Sequence, residues 1–288
     1  MTAPWDDVGT SPLVSVIVPS KNSASTIGRC LESIRRQEYK NLEVIAVDNF
    51  SKDDTVRIAK EAGATVYVHG NERSSQINYG VERSHGEFVY RVDSDLVLDS
   101  DVIAQATRKC LEHGFDGIVV RTVSDKNRSV WGLIHSLEQG NYYTREDNVA
   151  VTVLSRSAFL MLGGFDEELV AGEDYDLHNR FVARGLRYGR IDAKELHLGE
   201  PLRLLDVAKK HYYYGRTIRP FVRKNARSAL RQLGFVRVLV AVKDSGFPIP
   251  ARYAFYFLVY QVVRFGSTAA GVASSLVMRT TSTRTRSR

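Results

Sequence analysis

The sequence predicts an α/β fold in which a mostly parallel, partly mixed sheet is flanked by helices. Three observations indicate this fold. Apolar β-branched runs alternate with helix-period segments over the first 120 or so residues, acidic residues follow two of these runs, and the chain ends in a basic, aromatic region. With 43% hydrophobic and 25% charged residues, the 288-residue chain has the composition of a globular protein with a large core.

The alternation of strands and helices begins near residue 14. The expected elements of the first part are strand 14–19, helix 27–34, strand 42–48, helix 55–59, strand 65–69, helix 74–83, strand 88–92 and helix 101–113. Beyond residue 117 come strand 118–120, a polar stretch, strand 149–154, a Gly163-Gly164 turn, helix 174–183 and strand 186–191. This order implies right-handed crossovers, and ligands of such sheets bind beyond the carboxyl ends of the strands.

Three carboxylates are predicted at that edge of the sheet. Asp48 ends the second strand, and Asp93 and Asp95 follow the fourth, two residues apart. Two carboxylates in such a turn suit a hard divalent cation, Mg²⁺ or Mn²⁺, completed by substrate phosphates. Acidic turns at strand ends are also common as solvated structure, so the pair gains meaning only from its context.

Residues 13–200, about two thirds of the chain, resemble the catalytic domain of the family 2 glycosyltransferases, which have the GT-A fold. Each matching piece is loose, but the ordered set is specific. The pieces are Val16–Pro19 with Lys21 and Asn22; Val44–Asp48 with Ser51, Asp54 and Thr55; Arg73–Gly80; Gly86–Tyr90; Asp93–Asp95; and Gly164–Asp166 leading to Gly172–Leu177.

The resemblance implies an inverting, metal-dependent enzyme of hexosyltransferase type that uses a UDP- or GDP-sugar. Asp93 and Asp95 are then expected to hold the metal against the donor diphosphate, and Asp48 to contact the nucleoside unless it only forms a turn. The other residues implied in nucleotide-sugar binding are Pro19, Lys21, Asn22, Arg73, Gln76 and Ser94, together with Asp93.

The general base is expected in the Glu173-Asp174 pair, where the family keeps this residue. Inverting transfer needs a carboxylate that takes the proton of the acceptor hydroxyl as its oxygen attacks the anomeric carbon. We assign this role to Asp174, with Glu173 as the second choice. The structural alternative is that one of the two acids only caps the following helix.

Two positions depart from the family pattern. Many relatives have a glycine where Phe50 stands, a residue type that readily adopts a positive φ. An arginine is frequent where Ile77 stands, so Arg73, Lys21 or the later basic segment would have to supply the phosphate contacts. The sequence therefore leaves the base and the sugar of the donor open.

Two further features follow the last strand of this region. His197 is a candidate third metal ligand, as in some enzymes of this fold, or a packing histidine. The segment 209–216 could supply cations and aromatic rings to the diphosphate or the acceptor, or could be a solvated basic helix. Its candidate contacts are Lys209, Lys210, Tyr214 and Arg216.

The charge is divided along the chain. Residues 1–200 carry a net charge of −8 and residues 201–288 a net charge of +15. The basic part is interleaved with long aliphatic runs, which argues against a nucleic-acid-binding protein and favours the surface of an anionic membrane. The uncharged stretches between Arg252, Arg264 and Arg279 are 11 and 14 residues long, too short to cross a bilayer. A packed helical subdomain or a dimer interface are the alternatives.

We therefore expect a flexible N-terminus at 1–12, a catalytic domain at 13–200, a basic, amphipathic helical and membrane-associating extension at 201–278, and a disordered tail at 279–288. The polar, acidic start lacks a secretory signal pattern, so the expected location is the cytoplasmic face of the cell membrane. The expected acceptor is a glycan or a lipid-linked sugar of the cell envelope. A nucleotidyltransferase is disfavoured because no glycine-rich loop follows the first strand, and a non-catalytic relative stays open. The two cysteines, Cys30 and Cys110, are expected to be buried thiols.

Overall fold

The strands of the computed structural model form one eight-stranded sheet. The model describes residues 11–125, 129–142, 150–226, 229 and 251–285. The strands are β1 (Val14–Ser20), β2 (Leu42–Asp48), β3 (Thr65–Val68), β4 (Phe88–Arg91), β5 (Leu96–Leu98), β6 (Gly117–Ser124), β7 (Val153–Ser155) and β8 (Tyr188–His197). Their order is β3-β2-β1-β4-β7-β6-β8-β5.

The helices alternate with the strands in the first half of the chain. They are α1 (Ile27–Arg35), α2 (Thr55–Glu61), α3 (Arg73–Glu82), α4 (Val102–His113), α5 (Val130–Tyr142), α6 (Arg156–Met161), α7 (Glu173–Ala183), α8 (Leu204–Thr217), α9 (Arg219–Lys224) and α10 (Ala254–Thr285). The predicted alternation up to residue 113 is confirmed, except that β5 follows β4 without an intervening helix.

The sheet is parallel in its first half and mixed in its second. β1 pairs in parallel with β2 and β4, and β2 with β3, whereas β7 runs antiparallel to both β4 and β6. Every residue of β1 is buried, because this strand of apolar, mainly β-branched residues lies in the centre of the sheet. The predicted fold class, a GT-A type mixed sheet flanked by helices, is confirmed; the membrane association of the extension stays a prediction.

Contacts divide the chain into two compact units. The first unit comprises Met1–Val123, Ala150–Glu167 and Leu177–Gly199, and the second comprises Ser124–Val149, Glu168–Asp176 and Glu200–Arg288. The second unit therefore includes two segments that precede residue 200. The sequence analysis placed the whole of 13–200 in one domain.

Each unit has its own apolar cluster. In the first unit, side chains of β1, α1 and α4 pack together, including the fully buried Ile27 and Ile34. Cys30 and Cys110 are buried there as free thiols, as predicted, and burial raises the pKa of Cys110 to about 12. In the second unit, Ile134 of α5, Val207 of α8 and Phe257 of α10 form a separate cluster.

The structure differs from the sequence predictions in several segments. β5 and α5 were not predicted; α5 falls in the stretch assigned as polar, and its buried Ile134 and the partly buried Trp131 and Leu137 belong to the cluster of the second unit. β8 continues to His197, six residues beyond the predicted strand end at Ile191. Helix α10 continues to Thr285, into the segment predicted as a disordered tail. The start of the chain, residues 1–10, lies outside the described residues.

With 32 residues, α10 is the longest helix in the described part of the chain. Among the described residues, no helix combines the length and the apolar composition needed to span a bilayer.

Candidate active site

The loops that follow β1 and β2 are bonded to each other. The backbone N–H of Asn22 donates to Ser51 Oγ at 2.7 Å, and the N–H of Lys52 donates to Asn22 Oδ1 at 2.9 Å. The N–H of Ser23 donates to Thr55 Oγ1 at 2.7 Å. These bonds hold the carboxyl ends of two neighbouring parallel strands as one surface, the position where such sheets bind ligands. Pro19 is buried within β1, whereas Lys21 and Asn22 are exposed at this edge.

Asp48 forms the turn at the end of β2. Its Oδ2 accepts the backbone N–H of Ser51 at 2.7 Å, and its Oδ1 accepts the hydroxyls of Ser51 at 2.5 Å and Ser20 at 3.2 Å. The residue is only 1% exposed. The geometry is that of the turn-forming alternative, in which the carboxylate organises the loop.

The side chain of Gln76 is also bonded to the backbone. Its amide Nε2 donates to the carbonyls of Ser20 at 2.9 Å and Val47 at 2.5 Å, and the residue is 3% exposed. Both N–H bonds of the amide are therefore used to clamp β1 to β2. These bonds give Gln76 a positioning role between the two strands, and its expected contact with the nucleotide stays a prediction.

Asp93 is paired with Arg73 of α3. The Arg73 Nη1 donates to Asp93 Oδ2 at 2.7 Å, and both side chains are about one third exposed, at 30% and 31%. The other oxygen, Asp93 Oδ1, is buried without a hydrogen-bond partner among the described residues. A buried carboxylate oxygen without a partner is costly unless a ligand satisfies it. Next to it, Ser94 Oγ donates to Ser23 Oγ at 2.8 Å.

Asp95 contacts His197 across two antiparallel strands. The register of β5 and β8 pairs Leu96 with His197, which brings the histidine beside the residue that precedes Leu96. His197 Nε2 lies 3.2 Å from Asp95 Oδ2, and their side chains are 21% and 32% exposed. A Cβ at Gly199 would stand 2.3 Å from Asp95 Oδ2, so only glycine allows this close approach.

A buried carboxyl that the sequence analysis missed lies on β8, two residues before His197. Glu195 Oε2 accepts the hydroxyl of Tyr90 at 2.8 Å, and Oε1 accepts that of Thr122 at 2.6 Å. Burial raises the pKa of Glu195. Because these bonds join β4, β6 and β8, they fix the strand that carries His197. The sequence signal that could have identified Glu195 is an acidic residue at a strand position whose side chain faces the interior.

The oxygens and the imidazole of this region suit a hard divalent cation. Asp95 and His197 are adjacent donors, and Asp93 supplies the buried oxygen that has no hydrogen-bond partner among the described residues. Among the described residues, no group of three or more His, Cys, Asp or Glu side chains has the arrangement to hold a metal by itself. Such a site fits a cation that takes its remaining ligands from substrate phosphates and water.

The predicted base residues begin helix α7 and belong to the second unit. Glu173 is buried at 7% exposure, whereas Asp174 is half-buried. Asp176, which the sequence analysis did not single out, is 1% exposed and accepts Lys224 Nζ at 3.2 Å and Asn225 Nδ2 at 2.9 Å. These bonds attach the first turn of α7 to the end of α9.

The candidate diphosphate or acceptor contacts lie on helix α8. All four side chains are exposed, and Tyr214 is 36% exposed. They are Lys209, Lys210, Tyr214 and Arg216. The structure therefore brings together Arg73, Asp93, Ser94, Asp95 and His197 within the first unit and presents the α8 residues on the surface of the second.

Known proteins resemble this chain over different lengths. An uncharacterized glycosyltransferase of Rickettsia typhi is 28% identical over 197 residues, which cover 60% of this chain and 59% of that protein. The chain thus spans about three fifths of that relative's length.

Solved structures share the fold. The mannosyltransferase PcManGT from Pyrobaculum calidifontis, in complex with GDP-Man and Mn²⁺, superposes with a TM-score of 0.63 at 17% identity, covering 96% of this chain and 91% of that one. Residues 1–349 of S. aureus TarS, in complex with UDP-GlcNAc, give a TM-score of 0.53 at 17% identity, covering 93% and 92%.

A family model decides the assignment, because it covers more than half of the sequence. The model of glycosyl transferase family 2 matches residues 15–166, which include the loops after β1 and β2 and the acidic pair after β4. The chain therefore belongs to glycosyl transferase family 2.

Proposed function

We propose that this protein is an inverting glycosyltransferase that moves a hexosyl group from a UDP- or GDP-sugar to an acceptor hydroxyl. The observation that carries the proposal is the contact of Asp95 with His197 at 3.2 Å, beside an Asp93 that keeps one buried oxygen without a hydrogen-bond partner among the described residues. Family membership and the donor-bound state of the two structural neighbours support it.

A divalent metal ion, Mn²⁺ or Mg²⁺, completes this site in our proposal. Asp95 and His197 would hold the ion, with Asp93 beside them. When bound, it would neutralise the charge that develops on the leaving nucleoside diphosphate. Histidine as a ligand favours Mn²⁺ over Mg²⁺, and the mannosyltransferase from Pyrobaculum calidifontis contains Mn²⁺.

Other residues of the first unit would bind and orient the donor. Arg73, which is already paired with Asp93, supplies positive charge near the diphosphate. Ser94, Lys21 and Asn22 belong to the loops at the same edge of the sheet, where they would orient the donor.

Asp174 is our proposed general base. It removes the proton from the acceptor hydroxyl while that oxygen forms a bond to the anomeric carbon and the bond to the diphosphate breaks. Its half-buried side chain is more accessible than that of Glu173, which favours Asp174 of the two. Asp176, bonded to Lys224 and Asn225, holds the first helical turn in place.

The acceptor is proposed to be a glycan or lipid-linked sugar at the cytoplasmic face of an anionic membrane. Helix α10 contains no acidic residue and presents apolar side chains at helical spacing on its exposed face. Phe255 is 71% exposed, Leu258 59%, Val262 72% and Leu276 48%. Within the same unit, α8 adds the exposed cations Lys209, Lys210 and Arg216. Apolar insertion together with basic residues is the chemistry of a helix that lies on a membrane.

The activity can be tested by the release of nucleoside diphosphate from a panel of UDP- and GDP-sugars, with Mn²⁺, with Mg²⁺ and with a chelator. We expect release from one donor class that needs metal and increases with added acceptor lipid. A nucleotidyltransferase would release pyrophosphate from a nucleoside triphosphate instead, and a non-catalytic relative would bind a donor without turnover. Either result would refute the proposed function.

A further inference from the structure

Phe50 combines two unfavourable features at the end of β2. Its φ is +50°, and Asn22 is the only other described non-glycine residue with a positive φ. Its side chain is among the exposed large hydrophobic residues, at 65%. The left-handed region disfavours an aromatic residue, and an exposed ring gains nothing from burial. Neither feature stabilises the fold, so an advantage outside the fold has to explain them.

The loop that carries Phe50 is fixed on both sides. Before it, Asn49 Nδ2 donates to the carbonyl of Asn71 at 2.9 Å. After it, the N–H of Ser51 donates to Asp48 Oδ2 at 2.7 Å, and Ser51 Oγ accepts the N–H of Asn22 at 2.7 Å. The backbone therefore holds the aromatic ring at a defined place instead of leaving it on a free loop.

The position of the ring indicates its ligand. β1 and β2 are parallel neighbours in the register that pairs Ser20 with Asp48, so both loops leave from the same edge of the sheet. Ligands of parallel sheets bind beyond this edge. Asp48, the residue implied in nucleoside contact, is buried and occupied by the turn, whereas Phe50 two residues later is exposed.

We propose that the ring of Phe50 stacks on the nucleobase of the donor and contributes to the affinity for the donor. Aromatic rings bind nucleobases of every kind through their faces, and a fixed ring loses little conformational freedom on binding. In this arrangement Asp48 acts through the turn that presents the ring. The assignment rests on the proposed use of a nucleotide-sugar donor.

The test compares four variants by titration calorimetry with UDP and GDP in the presence of Mn²⁺. Phe50→Ala removes the ring, Phe50→Gly also relieves the backbone, and Phe50→Tyr keeps a ring. Leu111→Ala is the matched control, because it removes another exposed apolar side chain of the first unit, which is 53% exposed. Inorganic pyrophosphate with Mn²⁺ is the probe without a base.

We expect Phe50→Ala and Phe50→Gly to weaken binding of the preferred nucleotide about tenfold and to leave pyrophosphate binding unchanged. Phe50→Tyr should bind like the unchanged protein. Phe50→Gly should also raise the melting temperature, since it removes strain without removing packing.

Three outcomes would overturn the assignment. Equal nucleotide affinity of Phe50→Ala and the unchanged protein would show that the ring does not contact the base, with the proposed transferase function intact. An equal loss of pyrophosphate affinity would show that the substitution acts on the loop as a whole. If the unchanged protein binds neither UDP nor GDP, the proposed function and this inference both fail.

Discussion

The two compact units of the chain use their polar side chains differently. In the first unit the loops and acidic residues at the carboxyl ends of the strands are joined by short bonds, such as Arg73 to Asp93 at 2.7 Å. In the second unit many basic side chains of α8 and α9 are exposed, and α10 presents apolar residues to the surface. Fixed polar contacts suit chemistry, whereas exposed charge and apolar surface suit attachment. Substitutions in the first unit should therefore change turnover, and substitutions on the surface of α10 should change membrane binding.

The largest effect is expected for Asp95→Asn in the first unit. The amide keeps the shape of the side chain but loses the charge that a divalent cation requires, so turnover should fall about 10³-fold. Nucleoside diphosphate release measures this, and Mn²⁺-dependent nucleotide binding should weaken in parallel. Asp192→Asn, an exposed change on the same strand as His197, is the control. Undiminished turnover would remove Asp95 from the site.

Asp174→Asn tests whether the second unit also contributes to turnover, since the proposed base belongs to that unit. Loss of the base should lower kcat about 10²- to 10³-fold and leave the affinity for the donor unchanged. Glu173→Gln is the comparison, since Glu173 is the second candidate. A larger loss in Glu173→Gln than in Asp174→Asn would reverse the assignment.

The stability of the first unit should depend on pH through His178. Burial and the charge of Arg190 lower the pKa of His178 to about 4. Because the unfolded chain binds the proton with a pKa near 6.5, stability is lost as pH falls from about 6.5 to about 4, by roughly 3 kcal/mol. Urea unfolding of His178→Phe should show a flatter pH profile in this range. An unchanged pH profile in His178→Phe would show that this histidine does not carry the pH dependence.

The smallest effect concerns attachment by the second unit. Val262→Glu places a charge on the exposed face of α10 and should reduce binding to phosphatidylglycerol-containing vesicles about tenfold, with metal-dependent nucleotide binding unchanged. Added salt should weaken the binding of the unchanged protein, as screening predicts. Leu111→Glu, an equally drastic change on the surface of the first unit, should have no effect. Vesicle sedimentation in which both variants bind equally would argue against α10 as the membrane surface.

The interior of the site was only partly predictable. Asp93, Asp95 and His197 were singled out from the sequence. The sequence did not show whether Gln76 and Asp48 bind a ligand or bond to the backbone of the loops. Both side chains are buried and bonded to backbone or turn atoms. A polar residue near a strand end has the same sequence pattern whether it binds a ligand or the loop itself, because burial depends on neighbours that are distant in sequence.

Local periodicity in the sequence determined the parallel half of the sheet, the helices up to residue 113 and the position of the acidic pair after the fourth strand. The amino-acid composition determined the contrast between a net charge of −8 over residues 1–200 and +15 over 201–288. The tertiary structure decided the antiparallel register that places His197 opposite Leu96, and the exposure of Phe50 at a positive φ. Periodicity depends on neighbouring residues, whereas register and exposure depend on the packing of segments that can lie about 100 residues apart, as Asp95 and His197 do.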